Sequence, residues 1–199
     1  MDISLKRIVA YILDIIFITM FVTILTNIKI INPHLKAYNE NYQIYNELNE
    51  AYKNDEITTE EYKEKMIHIN YELSKSNIVT ASLTIGAFII YFGILQKILG
   101  GVTFGKNIMK IRLVSQDEKP LGTVNYLLRT IILNNIILRV LLISGVFFLN
   151  EKTYYDYTAI ISFIESTIES ILFAMIILRK DHRGLHDILS HTKVIEKDA

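Results

Sequence analysis

The chain has no cysteine. Disulfides, thiolate catalysis and cysteine-ligated metals are therefore excluded. It also lacks an excess of charge of either sign, since 21 Lys and Arg face 21 Asp and Glu. Composition thus gives no support to a globally basic nucleic-acid binder or to an acidic tail. Also missing are a serine–histidine–acid arrangement, an HExxH pair and a kinase-like motif set, so no enzymatic activity and no cofactor are expected. The glycines between Gly100 and Lys106 do not have the G-x4-G-K-[ST] spacing of a phosphate loop. His182, His186 and Asp187 match no zinc pattern, so no metal is expected either. No internal repeat is visible.

What is present is segregation. Hydrophobic residues make up 51% of the 199 positions, a length that suits one domain or two small ones. They fall into four blocks: Ile8 to Ile28 with the single charge Asp14, Ile78 to Leu95 with none, Leu127 to Leu149, and Thr158 to Leu178. The third block is interrupted by Arg129, Asn134, Asn135 and Arg139, and the fourth carries Glu165 and Glu169. The first block crosses a hydrocarbon core of about 30 Å. It is too long for a signal-peptide core and has no small-x-small cleavage site after it, so it is read as a retained span.

The charges between the blocks set the topology. Residues 29–77 hold six basic and nine acidic residues, whereas 96–129 hold six and two. Lys6 and Arg7 precede the first block, and Arg179, Lys180 and Arg183 follow the last. Four spans with both termini in the cytoplasm put every basic cluster inside, as the positive-inside rule requires. The expectation is an all-α, polytopic protein of the plasma membrane. It has four transmembrane helices and an extracytoplasmic helical hairpin between the first two. Within this single membrane domain, 34–77 is the hairpin insertion, 96–126 an interfacial connector and 179–199 a cytoplasmic tail cap.

The hairpin follows from spacing. Tyr38, Tyr42, Tyr45, Leu48 and Tyr52 recur at helical intervals, as do Tyr62, Met66, Ile69 and Leu73. Thr58 and Glu61 fit a capping box between the two arms. The stripes either bury each other or offer a tyrosine-rich partner surface. Pro33 is expected to end or bend the first span. In the connector, Lys106, Lys110 and Arg112 among apolar residues suit an interface near anionic headgroups. Thr192 to Ile195 reads as a closing strand, a candidate partner for Ile111 to Ser115.

Polar groups inside the spans are costly, about 2.5–3.5 kcal/mol for a mid-helix charge, so they mark either a helix-holding network or a path. Arg7, Tyr11 and Asp14 share a face of the first span. Ser162, Glu165, Ser166, Glu169 and Ser170 form one polar face of the fourth, expected to turn toward other spans. Asn135 and Arg139, four apart, are expected to share a face of the third, with Arg139 neutralising Glu165 or Glu169. Two readings stand. Arg7, Asp14, Asn135, Arg139, Glu165 and Glu169 are a buried salt-bridge network, or the carboxylates are proton or cation ligands on an ion path.

Several motifs then fall into a known order. Arg7 with Ala10-Tyr11-x-x-Asp14, Thr103-Phe104-Gly105-Lys106 with Ile111-Arg112-Leu113-Val114, Arg129, and Asp181 with Arg183-Gly184-Leu185-His186-Asp187 and Thr192-Lys193-Val194 together resemble the RDD family of bacterial membrane proteins. That family is named for one arginine and two aspartates. The resemblance makes Asp187 the second named aspartate and groups Lys106, Arg129, Asp181, Arg183, His186 and Asp187 as a cytoplasmic cap. It implies a multi-pass fold. For activity it implies sodium–proton exchange, expected in an oligomer, or an accessory role beside a membrane partner. The chain departs from the family pattern in its long 29–77 segment and in the polarity of its third and fourth spans. The expected partners are the lipid bilayer, a monovalent cation or proton, and a second copy or a membrane protein, with no nucleic acid.

Overall fold

The computed structural model describes residues 2–117 and 119–197. It is mostly helical. Three helices are long and apolar enough to cross a membrane: α1 (Ile3–Thr26), the run Ile78–Ile98, and α9 (Glu151–Leu178). The middle run is α4 (Ile78–Phe88), a π-helical stretch (Ile89–Leu95) and α5 (Gln96–Ile98). A pair of shorter helices, α7 (Thr123–Leu133) and α8 (Ile136–Phe148), reaches span length only if counted together. The number of candidate spans is therefore three, or four if the pair is one broken span.

The break in that pair corrects the continuous third block. Asn134 caps α7, with its side-chain amide donating to the Thr130 carbonyl at 3.0 Å. Asn135 follows at φ 49°, in the left-handed region that asparagine tolerates better than most residues. The four-residue spacing of Asn135 and Arg139 then no longer describes one helical face, because that spacing needs an unbroken helix.

The chain divides into two compact units. The first comprises Met1–Val22, Thr84–Ile137 and Ile164–Ala199, and the second Thr23–Leu83 and Leu138–Phe163.

In the second unit, α2 (Leu35–Lys53) and α3 (Thr59–Ser76) pack as a hairpin. Leu48, Met66 and Ile69 are its buried core, with Tyr45, Ile57, Tyr62 and Leu73 packed against them. Each such buried aliphatic side chain contributes roughly 1.5–3 kcal/mol. The Tyr62 hydroxyl donates to Asn49 Oδ1 at 2.8 Å, and its ring stacks on Tyr52 at 4.2 Å. The expected capping box is present. Thr58 Oγ1 accepts from the Glu61 N–H at 3.2 Å, and Glu61 Oε2 accepts from the Thr58 N–H at 3.0 Å. The stripes thus bury each other in part, while Tyr42 and Tyr52 stay exposed. Pro33 does not end the first span. α1 closes at Thr26, and Pro33 sits just ahead of α2.

In the first unit, α6 (Phe104–Ile108) leads into β1 (Ile111–Ser115), and α10 (Leu185–Leu189) into β2 (Thr192–Glu196). The two strands are the partners expected from the sequence, and they pair antiparallel, with Leu113 opposite Val194 and Ser115 opposite Thr192. Ile111 and Leu113 alternate inward and are fully buried. This pairing ties the connector to the tail across some 80 residues.

Candidate functional site

Asp14 is fully buried on α1, and three donors meet it. Oδ1 accepts from the Tyr91 hydroxyl and from the Gly105 N–H, both at 2.7 Å. Oδ2 accepts from the Thr103 hydroxyl at 2.6 Å. Charge-assisted bonds of this kind are about twice as strong as neutral ones. Gly105 is required here by close approach. A Cβ at this position would stand 2.0 Å from the Ala10 carbonyl oxygen and 3.0 Å from Asp14 Oδ1. The π-helical stretch carries Tyr91, in keeping with the tendency of such stretches to occur at functional positions. Asp14 therefore serves as the socket into which the Thr-Phe-Gly-Lys turn docks.

Asp187 is the second socket. Its side chain is fully buried. Oδ2 accepts from Arg7 Nη2 at 2.5 Å and from the Gly184 N–H at 3.0 Å, and Oδ1 lies 3.2 Å from Arg129 Nη1. Arg7 also donates to the His182 carbonyl. Burial alone would raise the Asp187 pKa, but Arg129 and Arg7 hold the carboxyl well below the usual carboxylate range. One aspartate thereby anchors α1, α7 and the turn before α10. Gly184 leaves room for this: a Cβ there would lie 2.6 Å from Cε1 of His186.

His186 is buried beside the arginines. Burial drives its pKa well below the ordinary value, against the attraction of Asp187 and with added repulsion from Arg129, Arg7 and Lys106. The ring is neutral, and Nε2 faces Arg7 Nη2 at 3.4 Å while Nδ1 has no hydrogen-bond partner among the described residues.

Lys106, expected in the interfacial connector and the cytoplasmic cap, is buried, with Nζ 3.4 Å from Thr103 Oγ1 and 5.5 Å from the Phe92 ring centroid. The reason is local: Phe104 and Ile108, both half exposed, take the outer face of this short helix. Burial lowers the Lys106 pKa to about 7, with further repulsion from Arg129 and Arg7 and opposing attraction from Asp14 and Asp187.

These groups surround a cavity of roughly 220 Å³. Arg7, Lys106, Arg129 and His186 form its polar wall, Glu169 contributes a carboxylate, and Ile8, Leu133, Leu172 and Ile176 make the apolar side. Asn135 Nδ2 reaches Glu169 Oε1 at 3.5 Å. Glu165 is half-buried on the same helix, and Arg139 belongs to α8 in the other unit. Asp181 and Arg183 form a separate, more exposed cluster with Arg179. Asp181 takes 2.9 Å bonds from both arginines, which pull its pKa down, and Arg183 also donates to Gln116.

The serines of α9 depart from expectation. Ser162, Ser166 and Ser170 are exposed instead of turned toward neighbouring helices. Ser170 donates back to the Ser166 carbonyl at 2.8 Å, so the helix backbone itself satisfies this hydroxyl.

Sequence reasoning did not single out Tyr91, Gln96 or Ser190. Tyr91 is a polar-tipped residue in an otherwise apolar block. Gln96 is buried with its amide on the Gly101 carbonyl at 3.1 Å, and Ser190 is buried against Thr192 at 2.8 Å.

The two aspartate sockets are joined by α1, and each gathers one of the recurring motifs. Comparison with known proteins bears on that pattern. Neither the curated proteins nor the solved structures include a match to the chain. The family model described as RDD family matches residues 4–191, nearly the full length, and the chain belongs to that family of membrane proteins.

Proposed function

We propose that the chain is a four-span protein of the plasma membrane, with both termini cytoplasmic and the α2–α3 hairpin outside, and that it moves a small charged solute in exchange for protons. It acts by binding and conformational exchange and not by catalysis. The charge distribution supports the orientation: the basic connector and tail lie inside and the acid-rich 29–77 segment outside. Counting α7 and α8 as one broken span gives the even number that this orientation needs.

One observation carries the transport reading. A buried lysine whose pKa lies at about 7 faces a cavity that also holds a carboxylate, Glu169. Lys106 then changes charge within the physiological range, so solute occupancy and proton occupancy are linked. The charge of the lining favours an anion over sodium. Arg7, Lys106 and Arg129 face Glu169 alone, because Asp187 is fully enclosed behind the arginines. A sodium ion finds only the Glu169 carboxylate among these charged lining groups.

The test is solute flux in proteoliposomes under an imposed pH gradient, with phosphate and sodium as alternative solutes. The expected result is pH-driven flux that Lys106→Met and Glu169→Gln abolish. Flux no greater than in protein-free vesicles for both solutes removes the reading. Sodium flux lost in Glu169→Gln but intact in Lys106→Met turns it toward cation exchange.

A second reading, an accessory protein, is favoured by the exposed Tyr42, Ile44 and Tyr52 on the hairpin. Photocrosslinking from position 42 in native membranes tests it. A discrete membrane-protein adduct is expected, and adducts with lipid and with the chain itself alone exclude it.

A further inference from the structure

The cavity of the first unit contains two buried cations that the protein does not saturate. Arg129 is 5% exposed. Among the described residues it makes no hydrogen bond, and its one ion pair, with Asp187 Oδ1, lies outside hydrogen-bond geometry. Its Nη1 is buried with no hydrogen-bond partner among the described residues, and a buried donor left unused costs its desolvation. Lys106 has no carboxylate in ion-pair contact among the described residues and only a long 3.4 Å contact to Thr103. By contrast, Arg7 is used up by Asp187 and the His182 carbonyl. The unspent donors therefore belong to Arg129 and Lys106, and both line the same cavity.

Much of the remaining lining is apolar, including Ile8 of α1, Leu133 of α7, and Leu172, Phe173 and Ile176 of α9, while Glu169 of α9 adds a carboxylate. Buried cations in a largely apolar lining suit a ligand with an anionic head and a hydrocarbon tail. The volume, roughly 220 Å³, is below the ~300 Å³ where drug-sized pockets begin, so it suits one compact headgroup and not a large solute. Planar guanidinium and point-charge ammonium together are the pairing that holds phosphate oxygens.

We infer that this cavity binds the phosphate of a phospholipid headgroup, with Arg129 and Lys106 as the oxygen ligands and apolar lining such as Ile8 and Leu172 against the carbons next to that phosphate. The inference rests on the reading of this cavity as the ligand site but not on transport. Basic pockets between membrane helices are established acceptors of anionic lipid headgroups. Free inorganic phosphate shares the same chemistry but makes no use of the apolar lining.

The experiment is equilibrium binding to the full chain, purified in detergent and stripped of lipid, at mildly acidic pH. The probes are short-chain phosphatidylglycerol, short-chain phosphatidylcholine as the zwitterionic control, and inorganic phosphate. Two variants accompany the wild type. Lys106→Met removes one oxygen ligand without touching the Asp187 bridge, and Leu172→Trp fills the apolar side without touching any charge. Phosphatidylglycerol is expected to bind more tightly than the control. Lys106→Met should weaken it roughly tenfold to a hundredfold, the value of one charge-assisted bond in a desolvated site. Leu172→Trp should weaken the lipid more than inorganic phosphate. Binding of inorganic phosphate alone, weakened by Lys106→Met, keeps the phosphate site and assigns it to a soluble source. Binding of neither probe, or binding that both variants leave unchanged, overturns the inference. Because no flux is measured, binding without transport counts against the exchange reading alone, and pH-driven flux without phosphate binding counts against this inference alone.

Discussion

Replacing Lys106 by methionine should stabilise the protein, and by an amount that depends on pH in a defined direction. Burial and two neighbouring arginines bring the Lys106 pKa from 10.5 to about 7. Between those values the unfolded chain binds a proton that the folded chain does not, so stability rises with pH. Below about 7 the folded state carries the full cost of a buried ammonium. Above 10.5 both states are neutral and the cost is gone. At ~1.36 kcal/mol per pH unit, that gap amounts to at most about 5 kcal/mol. Methionine keeps the length and removes the charge. In lipid-free detergent at pH near 6, Lys106→Met should therefore unfold up to roughly 10–20 °C above wild type, at ~2–4 °C per kcal/mol for a chain of this size. The difference should shrink toward zero near pH 10. The assay is thermal unfolding by circular dichroism across that range, always as variant minus wild type, so that other titrating groups cancel. A variant less stable than wild type at low pH, or a difference that does not change with pH, refutes the reasoning.

Other perturbations act on separate parts of the same construction. Gly105→Ala drives a Cβ to 2.0 Å from the Ala10 carbonyl and should cost about 1–3 kcal/mol or more in the same melt, by forcing the connector off α1. Asp14→Asn keeps the shape but aims an amide N–H₂ at donors. It should lose roughly 1.5–3 kcal/mol, the range for hydrogen bonds to a charged group, read by chemical denaturation. Thr58→Ala removes the capping box of α3 and should cost about 1 kcal/mol. Faster amide hydrogen exchange confined to the α2–α3 hairpin is the expected signature.

Local signals were legible where the physics is local. The hairpin arms follow from tyrosine and aliphatic spacing, and the Thr58–Glu61 box from four residues of sequence. The pairing of Ile111–Ser115 with Thr192–Glu196 was readable because both are short β-like runs in a chain otherwise patterned as helix. Charge segregation and apolar length marked the membrane helices. The third apolar block failed as a single helix because two adjacent asparagines stop α7, and hydropathy does not register backbone conformation. The burial of Lys106 was not legible because a basic residue between apolar ones reads equally well as exposed or as buried. Only the packing of Gly105 on Ala10 decides which side of a five-residue helix faces in. The Asp187 bridge was partly legible, since Arg7 and Asp187 belong to recurring motifs. The convergence of Arg129 on the same carboxylate, and of Glu169 on the same cavity, depends on contacts far apart in the chain that no local pattern encodes.

The central claim is that Asp187 holds α1 and α7 together through two buried arginines. A double-mutant cycle on Arg7 and Asp187 measures it most directly, using Arg7→Met, Asp187→Asn and the pair. Asp187→Asn alone strands two buried guanidinium groups and should cost about 3–5 kcal/mol at neutral pH. Because the folded Asp187 pKa is depressed, the carboxylate's contribution is present above the unfolded value near 3.8 and is lost as pH falls below it. The account predicts that at neutral pH the double variant costs less than the sum of the single ones by about 2 kcal/mol or more. Additivity to within about 0.5 kcal/mol contradicts it.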